Sequence, residues 1–175
     1  LEENSARAFE LSQIQPVQEK KPQMLPYRHL VTLNQSKGGR DEIIETLRRT
    51  GYIQELDGSE LNRLETRTSC IDEWLEKYAP ESVKFVIQKE PPKIAFSKED
   101  LDRVKQLKKM MSKVGWTSDE IHDSFYDLQK TSKTPAKEYF RIMYSVILGK
   151  ENGPRLGFFL TTMERDFVTE RLDYY

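Results

Sequence analysis

A chain of 175 residues is long enough for one helical domain with a real core, or for two small subdomains. Its 37% hydrophobic and 33% charged residues suit amphipathic helices and exclude the low-hydrophobicity, single-sign composition of a disordered chain. The net charge of -1 excludes a general polycation, and the single cysteine, Cys70, excludes an internal disulfide framework and a thiolate-cluster zinc site.

The first twenty-six residues, with Pro16, Pro22 and Pro26, predict an extended connector, although Glu2–Leu11 could end a helix. Tyr27, Leu30, Val31 and Asn34 share a face at helical spacing and predict a helix closed by Lys37-Gly38-Gly39. A second helix is expected from about Asp41 to Thr50, with Ile43, Ile44 and Leu47 inward. Asp57-Gly58-Ser59-Glu60 has the form of a capping box. It opens a long helix whose stripe runs through Leu61, Leu64, Thr68, Ile71, Leu75 and Tyr78, widened by Trp74 and closed by Pro80.

Val83–Gln88 is the one strand-like run, bounded by Pro91-Pro92. An isolated strand makes no sheet, so it predicts an extended strap between two helical halves. Ser97 then caps a helix carrying Leu101, Val104, Leu107, Met111 and Val114. Thr117-Ser118-Asp119-Glu120 caps one carrying Ile121, Phe125 and Leu128. Thr134 before Pro135 opens a helix burying Ala136, Phe140, Met143 and Ile147 and stopped by Gly149. Thr161-Thr162-Met163-Glu164 is expected to open a last helix with Phe167, Val168 and Leu172. The fold class is therefore all-α, a helical bundle of two subdomains at residues 27–96 and 97–175 after a 1–26 connector.

Catalytic signals are sparse. The sequence has no Gly-rich phosphate loop and no serine elbow, and neither His29 nor His122 sits in a metal-ligand spacing. No catalytic or metal-ligating residue is assigned. Charge is the better guide. Lys105–Lys113 holds four lysines and no acid, and Lys130–Arg155 holds Lys130, Lys133, Lys137, Arg141, Lys150 and Arg155 against Glu138 and Glu151. Such a local excess attracts phosphate even on a neutral chain. Lys150 and Arg155 flank a loop dense in glycine and proline, where backbone N–H groups and a guanidinium can approach an anion. Tyr139, Tyr144, Phe158 and Phe159 lie nearby in sequence; each can stack on an unpaired base or pack into the core.

Lys137-Glu138-Tyr139-Phe140-Arg141-Ile142-Met143-Tyr144-Ser145-Val146-Ile147-Leu148-Gly149-Lys150-Glu151-Asn152-Gly153-Pro154-Arg155-Leu156-Gly157 closely resembles the closing segment of class I lysyl-tRNA synthetases, the archaeal-type enzymes. Trp74-Leu75-Glu76-Lys77-Tyr78-Ala79-Pro80-Glu81 with Lys84-Phe85 resembles the family's middle segment, and Arg7–Ser12 with Tyr27-Arg28-His29-Leu30 fits the entry to this region. The resemblance implies an α-helix-cage, anticodon-binding region. It implies an enzyme that joins lysine to its tRNA through a lysyl-adenylate, with ATP and magnesium used by a Rossmann-type domain absent from this chain. Lys109-Met110-Met111-Ser112-Lys113 resembles the Lys-Met-Ser-Lys-Ser loop of that domain only in outline, because Met111 falls in register with a helical core stripe.

The expectation is thus a catalytically inactive fragment, with no cofactor of its own, that binds tRNA(Lys) through Lys130, Lys133, Lys137, Arg141, Lys150 and Arg155. A monomer in the cytoplasm with no membrane partner is expected: no apolar run nears the ~18 residues of a membrane span, and the acidic start Leu1-Glu2-Glu3-Asn4, which lacks an initiating Met, fits an internal fragment and no secretory signal. Two alternatives stay open. One is the anticodon-binding region of a glutamyl-tRNA synthetase-like protein; the other is a helical adaptor that presents an apolar groove to a protein.

Overall fold

The computed structural model describes residues 25–175, so the expected connector lies almost wholly outside the described residues. Eight helices follow one another among the described residues: α1 (Tyr27–Ser36), α2 (Arg40–Arg49), α3 (Gly58–Lys77), α4 (Lys98–Met111), α5 (Ser118–Ser132), α6 (Ala136–Leu148), α7 (Leu156–Thr161) and α8 (Arg165–Asp173). No strand occurs among them, as an all-α fold requires, and none is long and apolar enough to cross a membrane.

The helix starts follow local chemistry closely. Asp57 accepts from the Ser59 and Glu60 amides while the Glu60 carboxylate takes the Asp57 amide, a complete capping box. Ser97 accepts from the Asp100 amide and Thr117 from that of Glu120. Two expectations are corrected. Thr134 does not cap α6; Pro135 occupies the cap position, and Gln129 of α5 accepts the Ala136 amide proton at 2.8 Å. Thr161 and Thr162 do not open the last helix either. Their hydroxyls donate back to Phe158 O and Phe159 O, closing α7, and α8 begins after Glu164.

Two apolar clusters organise the packing. The first gathers Leu30, Leu33, Ile44, Leu47, Leu64 and Ile71 from α1–α3. The second is built around α6, whose Ile142, Met143, Val146 and Ile147 are fully enclosed by α4, α5, α7 and α8. Expected stripe member Tyr78 is instead 75% exposed, because it lies past the last turn of α3. Met111 is buried at the end of α4, as its register required.

The short helix α7 joins the clusters: Phe158 packs in the first and its neighbour Phe159 in the second. It lies hard against α5, since a Cβ on Gly157 would come within 2.4 Å of Ser118 O. Residues 79–96 form an extended strap with no helix or strand. Phe85 anchors it, buried edge-on to Phe159 at 5.3 Å, and Gln88 donates its amide proton to Ile147 O at 3.0 Å. The last helix fastens it too: buried Arg171 donates to Gln88 O and to Lys89 O, and the Tyr175 hydroxyl to Pro92 O.

Candidate nucleic-acid interface

Where the two clusters meet, a cavity of about 420 Å³ opens between α1, the strap and the loop entering α7. Its walls come from distant parts of the sequence. Tyr27, Arg28 and His29 stand at the start of α1, Trp74 in α3, Ser82 and Val83 on the strap, and Gly153, Pro154 and Arg155 on the loop. The lining is mainly apolar and aromatic with a few convergent polar groups, the usual character of a ligand site.

Local chemistry sets each wall. Gly149, at φ +67, ends α6 in the left-handed region that glycine enters at no steric cost. The chain then folds back against α6: the Tyr144 hydroxyl donates to Pro154 O, and a Cβ on Gly153 would come within 2.8 Å of the Tyr144 ring. This holds Arg155 exposed at the rim. Burial pushes the Tyr144 pKa up to about 12, so the hydroxyl stays a donor. On the opposite wall, Gln35 fixes the strap by accepting the Phe85 amide proton at 2.9 Å and donating to Val83 O at 3.4 Å.

His29 forms the inner wall. It is buried, stacked on Phe158 and edge-on to Tyr52, and its Nδ1 has no hydrogen-bond partner. Burial, then the charges of Arg28 and Arg155, lower its pKa to about 4, so the imidazole is neutral near pH 7. Both guanidiniums therefore act on one spot, and both also act on the Tyr52 hydroxyl, whose pKa burial and Asp119 nevertheless raise. Neither Arg28 nor Arg155 has an ion-pair partner among the described residues.

The six basic residues singled out from the sequence do not share one environment. Lys150 donates to Lys84 O at 2.9 Å, which sets it on the strap beside the cavity that Arg155 lines. Lys130, Lys133 and Lys137 gather at the other end of α6, about 20 Å away along a helix of 13 residues. Lys130 pairs with Asp127 at 2.8 Å, while Lys133, at φ 59, caps α5 and is exposed, as is Lys137. Arg141 lies between, 2.7 Å from Asp100 and 3.3 Å from Glu138. Tyr139, Tyr144, Phe158 and Phe159 are all buried, which removes them as base-stacking surfaces. The accessible aromatics that line the cavity are Tyr27, 47% exposed, and the half-buried Trp74.

Among the described residues no group of three or more His, Cys, Asp or Glu side chains could hold a metal ion. A cleft with aromatic walls and two unpaired guanidiniums is instead suited to an unpaired base and its phosphate.

No family model matches the chain. A lysine–tRNA ligase of Thermoplasma acidophilum is 35% identical over 172 residues, covering 98% of this chain and 33% of the relative. Lysine–tRNA ligases of Thermococcus kodakarensis and Pyrococcus horikoshii are 33% and 31% identical over 174 and 178 residues, each across 98% of this chain. The chain is similar to one third of a lysine–tRNA ligase. It spans about a third of the length of the curated relatives it matches, and the resemblance carried by Lys137–Gly157 agrees with that similarity. Cavity residues Tyr27, Arg28 and Trp74 were not singled out as binding groups from the sequence. The aromatic–basic run Tyr27-Arg28-His29 was the available local signal.

Proposed function

We propose that this chain is the C-terminal, tRNA-binding region of a class I lysine–tRNA ligase, and that the cavity between its two helical halves receives an unpaired base of the anticodon arm. The observation that carries the reading is the convergence of Arg28 and Arg155 on a cleft walled by Tyr27 and Trp74, in a chain matched to such ligases over 98% of its length. Arg155 and Arg28 supply charge and planar donors to phosphate or base edge, and the aromatics supply stacking. Lys150 extends this contact along the strap, while Lys133 and Lys137 hold the backbone of the stem; Lys130 and Arg141, paired with Asp127 and with Asp100 and Glu138, support that end of α6. Residues 27–96 and 97–175 act as the two halves of the cage.

Lysine activation, with its ATP and magnesium, belongs to the remaining two thirds of such an enzyme, which works as a cytoplasmic monomer. A glutamyl-type anticodon region would share the architecture, but the matched relatives are named for lysine. The test is binding of a lysine tRNA anticodon stem-loop to the chain, beside a stem-loop with the glutamate anticodon. Preference for the lysine anticodon is expected; equal or no binding of the two overturns the proposal.

A further inference from the structure

A second groove, sharing no residue with the cavity above, runs between the ends of α4 and α5 and encloses about 640 Å³. Half-buried Met110, Val114 and Leu128 floor it, packed below against the second apolar cluster. Its rim carries Lys109, in the last turn of α4, and Lys113, in the turn that follows. Their neighbours Lys105 and Lys108 are neutralised by Asp102 and Asp173 at 3.0 and 2.5 Å. Lys109 and Lys113 have no carboxylate partner among the described residues. The uncharged polar lining groups already have partners, Gln106 Oε1 accepting from the Tyr139 hydroxyl at 2.6 Å. Ser124 donates to Ile121 O, Thr131 to Leu128 O and Ser132 to Leu128 O, at 2.7, 3.0 and 2.7 Å, so all three hydroxyl protons are used by α5 itself.

We infer that this groove is a protein-docking surface whose occupant is an acidic amphipathic helix. Apolar side chains of such a helix cover Met110, Val114 and Leu128, while carboxylates along its edge meet Lys109 and Lys113. Flexible methionine suits it to a helix face, as in other helix-in-groove interfaces. A nucleic-acid backbone fits less well: it would desolvate against an apolar floor and meet hydroxyl oxygens whose protons are already committed. The inference is independent of the tRNA proposal, because it uses none of the cavity residues.

The test uses the whole chain and a fluorescein-labelled peptide with leucines on one helical face and glutamates on its flanks. The control peptide has lysines in place of the glutamates. Saturable binding of the acidic peptide, at least tenfold tighter than the control, is expected, with shifted amide resonances confined to α4 and α5. Lys109→Glu with Lys113→Glu, at exposed positions and checked for folding by circular dichroism, should weaken the acidic peptide at least tenfold and favour the lysine peptide. Met110→Gln should weaken both. Failure of the acidic peptide to bind, indifference to the charge reversal, or a tenfold loss of tRNA affinity in the lysine variant, which would give the groove to RNA, each overturns the inference.

Discussion

The imidazole of His29 lies flat on the ring of Phe158, centroids 3.9 Å apart and planes within 10°. One ring opens α1 and the other belongs to α7, so this stack ties the first apolar cluster to the segment that carries Arg155 to the cavity. Replacing Phe158 with Ala removes a side chain only 1% exposed and should cost about 3–5 kcal/mol of unfolding free energy. Urea unfolding measures it, and a loss below about 1 kcal/mol would mean that the joint is not set by this ring.

The same stack predicts a pH dependence. Burial, and then Arg28 and Arg155, hold the His29 pKa near 4, below the ordinary imidazole value. The unfolded chain therefore binds the proton first, and stability falls as pH drops from about 6.5 towards 4. Above about 6.5 the contribution is fully present. His29→Phe should flatten that part of the stability–pH curve; an unchanged slope would show that His29 is not the group responsible.

Arg141 should behave as a structural cation. It and Arg103 both bond to Asp100 at 2.7 Å. Burial alone would raise the Asp100 pKa, but the bonds to Arg103 and Arg141 outweigh it and hold the carboxyl below its usual range. The stabilisation is thus present above pH ~3.9 and lost as pH falls through the depressed value. Arg141→Ala should destabilise the fold by about 1–3 kcal/mol, whereas Arg155→Ala, which breaks no described ion pair, should leave the thermal midpoint within a few degrees of the parent.

Gly153 tests the loop. A Cβ there would meet the Tyr144 ring at 2.8 Å and Leu148 at 2.9 Å. Gly153→Ala should therefore push the loop off α6, lowering stability by about 1–3 kcal/mol and weakening RNA binding with it. Unaltered RNA affinity would separate the loop from the interface.

Much of the helical order was legible because its signals are local. Asp57 and Glu60 lie three apart and cap as their spacing requires, and Met111 keeps the core register of α4. Thr161 misled because a threonine hydroxyl bonds forward as a cap or back to a carbonyl, and only the packing of Phe158 and Phe159 selects the second. The α6 start misled for a related reason: its cap, Gln129, comes from the preceding helix. The cavity was less legible still. Trp74, Val83 and Arg155 are far apart in the chain, and only the close approach of α7 to α1 and the strap brings them together. Arg155 and Lys150 stood out through their loop, but nothing local joined them to Arg28.

The most direct test is equilibrium binding of a lysine tRNA anticodon stem-loop to the whole chain and to its Arg28→Ala, Arg155→Ala and Lys133→Ala/Lys137→Ala variants across a range of salt. The two arginine variants should each lose about 1–3 kcal/mol and relax the preference for the lysine anticodon. The lysine pair should weaken all sequences alike and flatten the log–log salt slope by roughly 0.7–0.9 per lost contact. Folded arginine variants that keep the parent's affinity, salt slope and anticodon preference would contradict the account and place the RNA on another face.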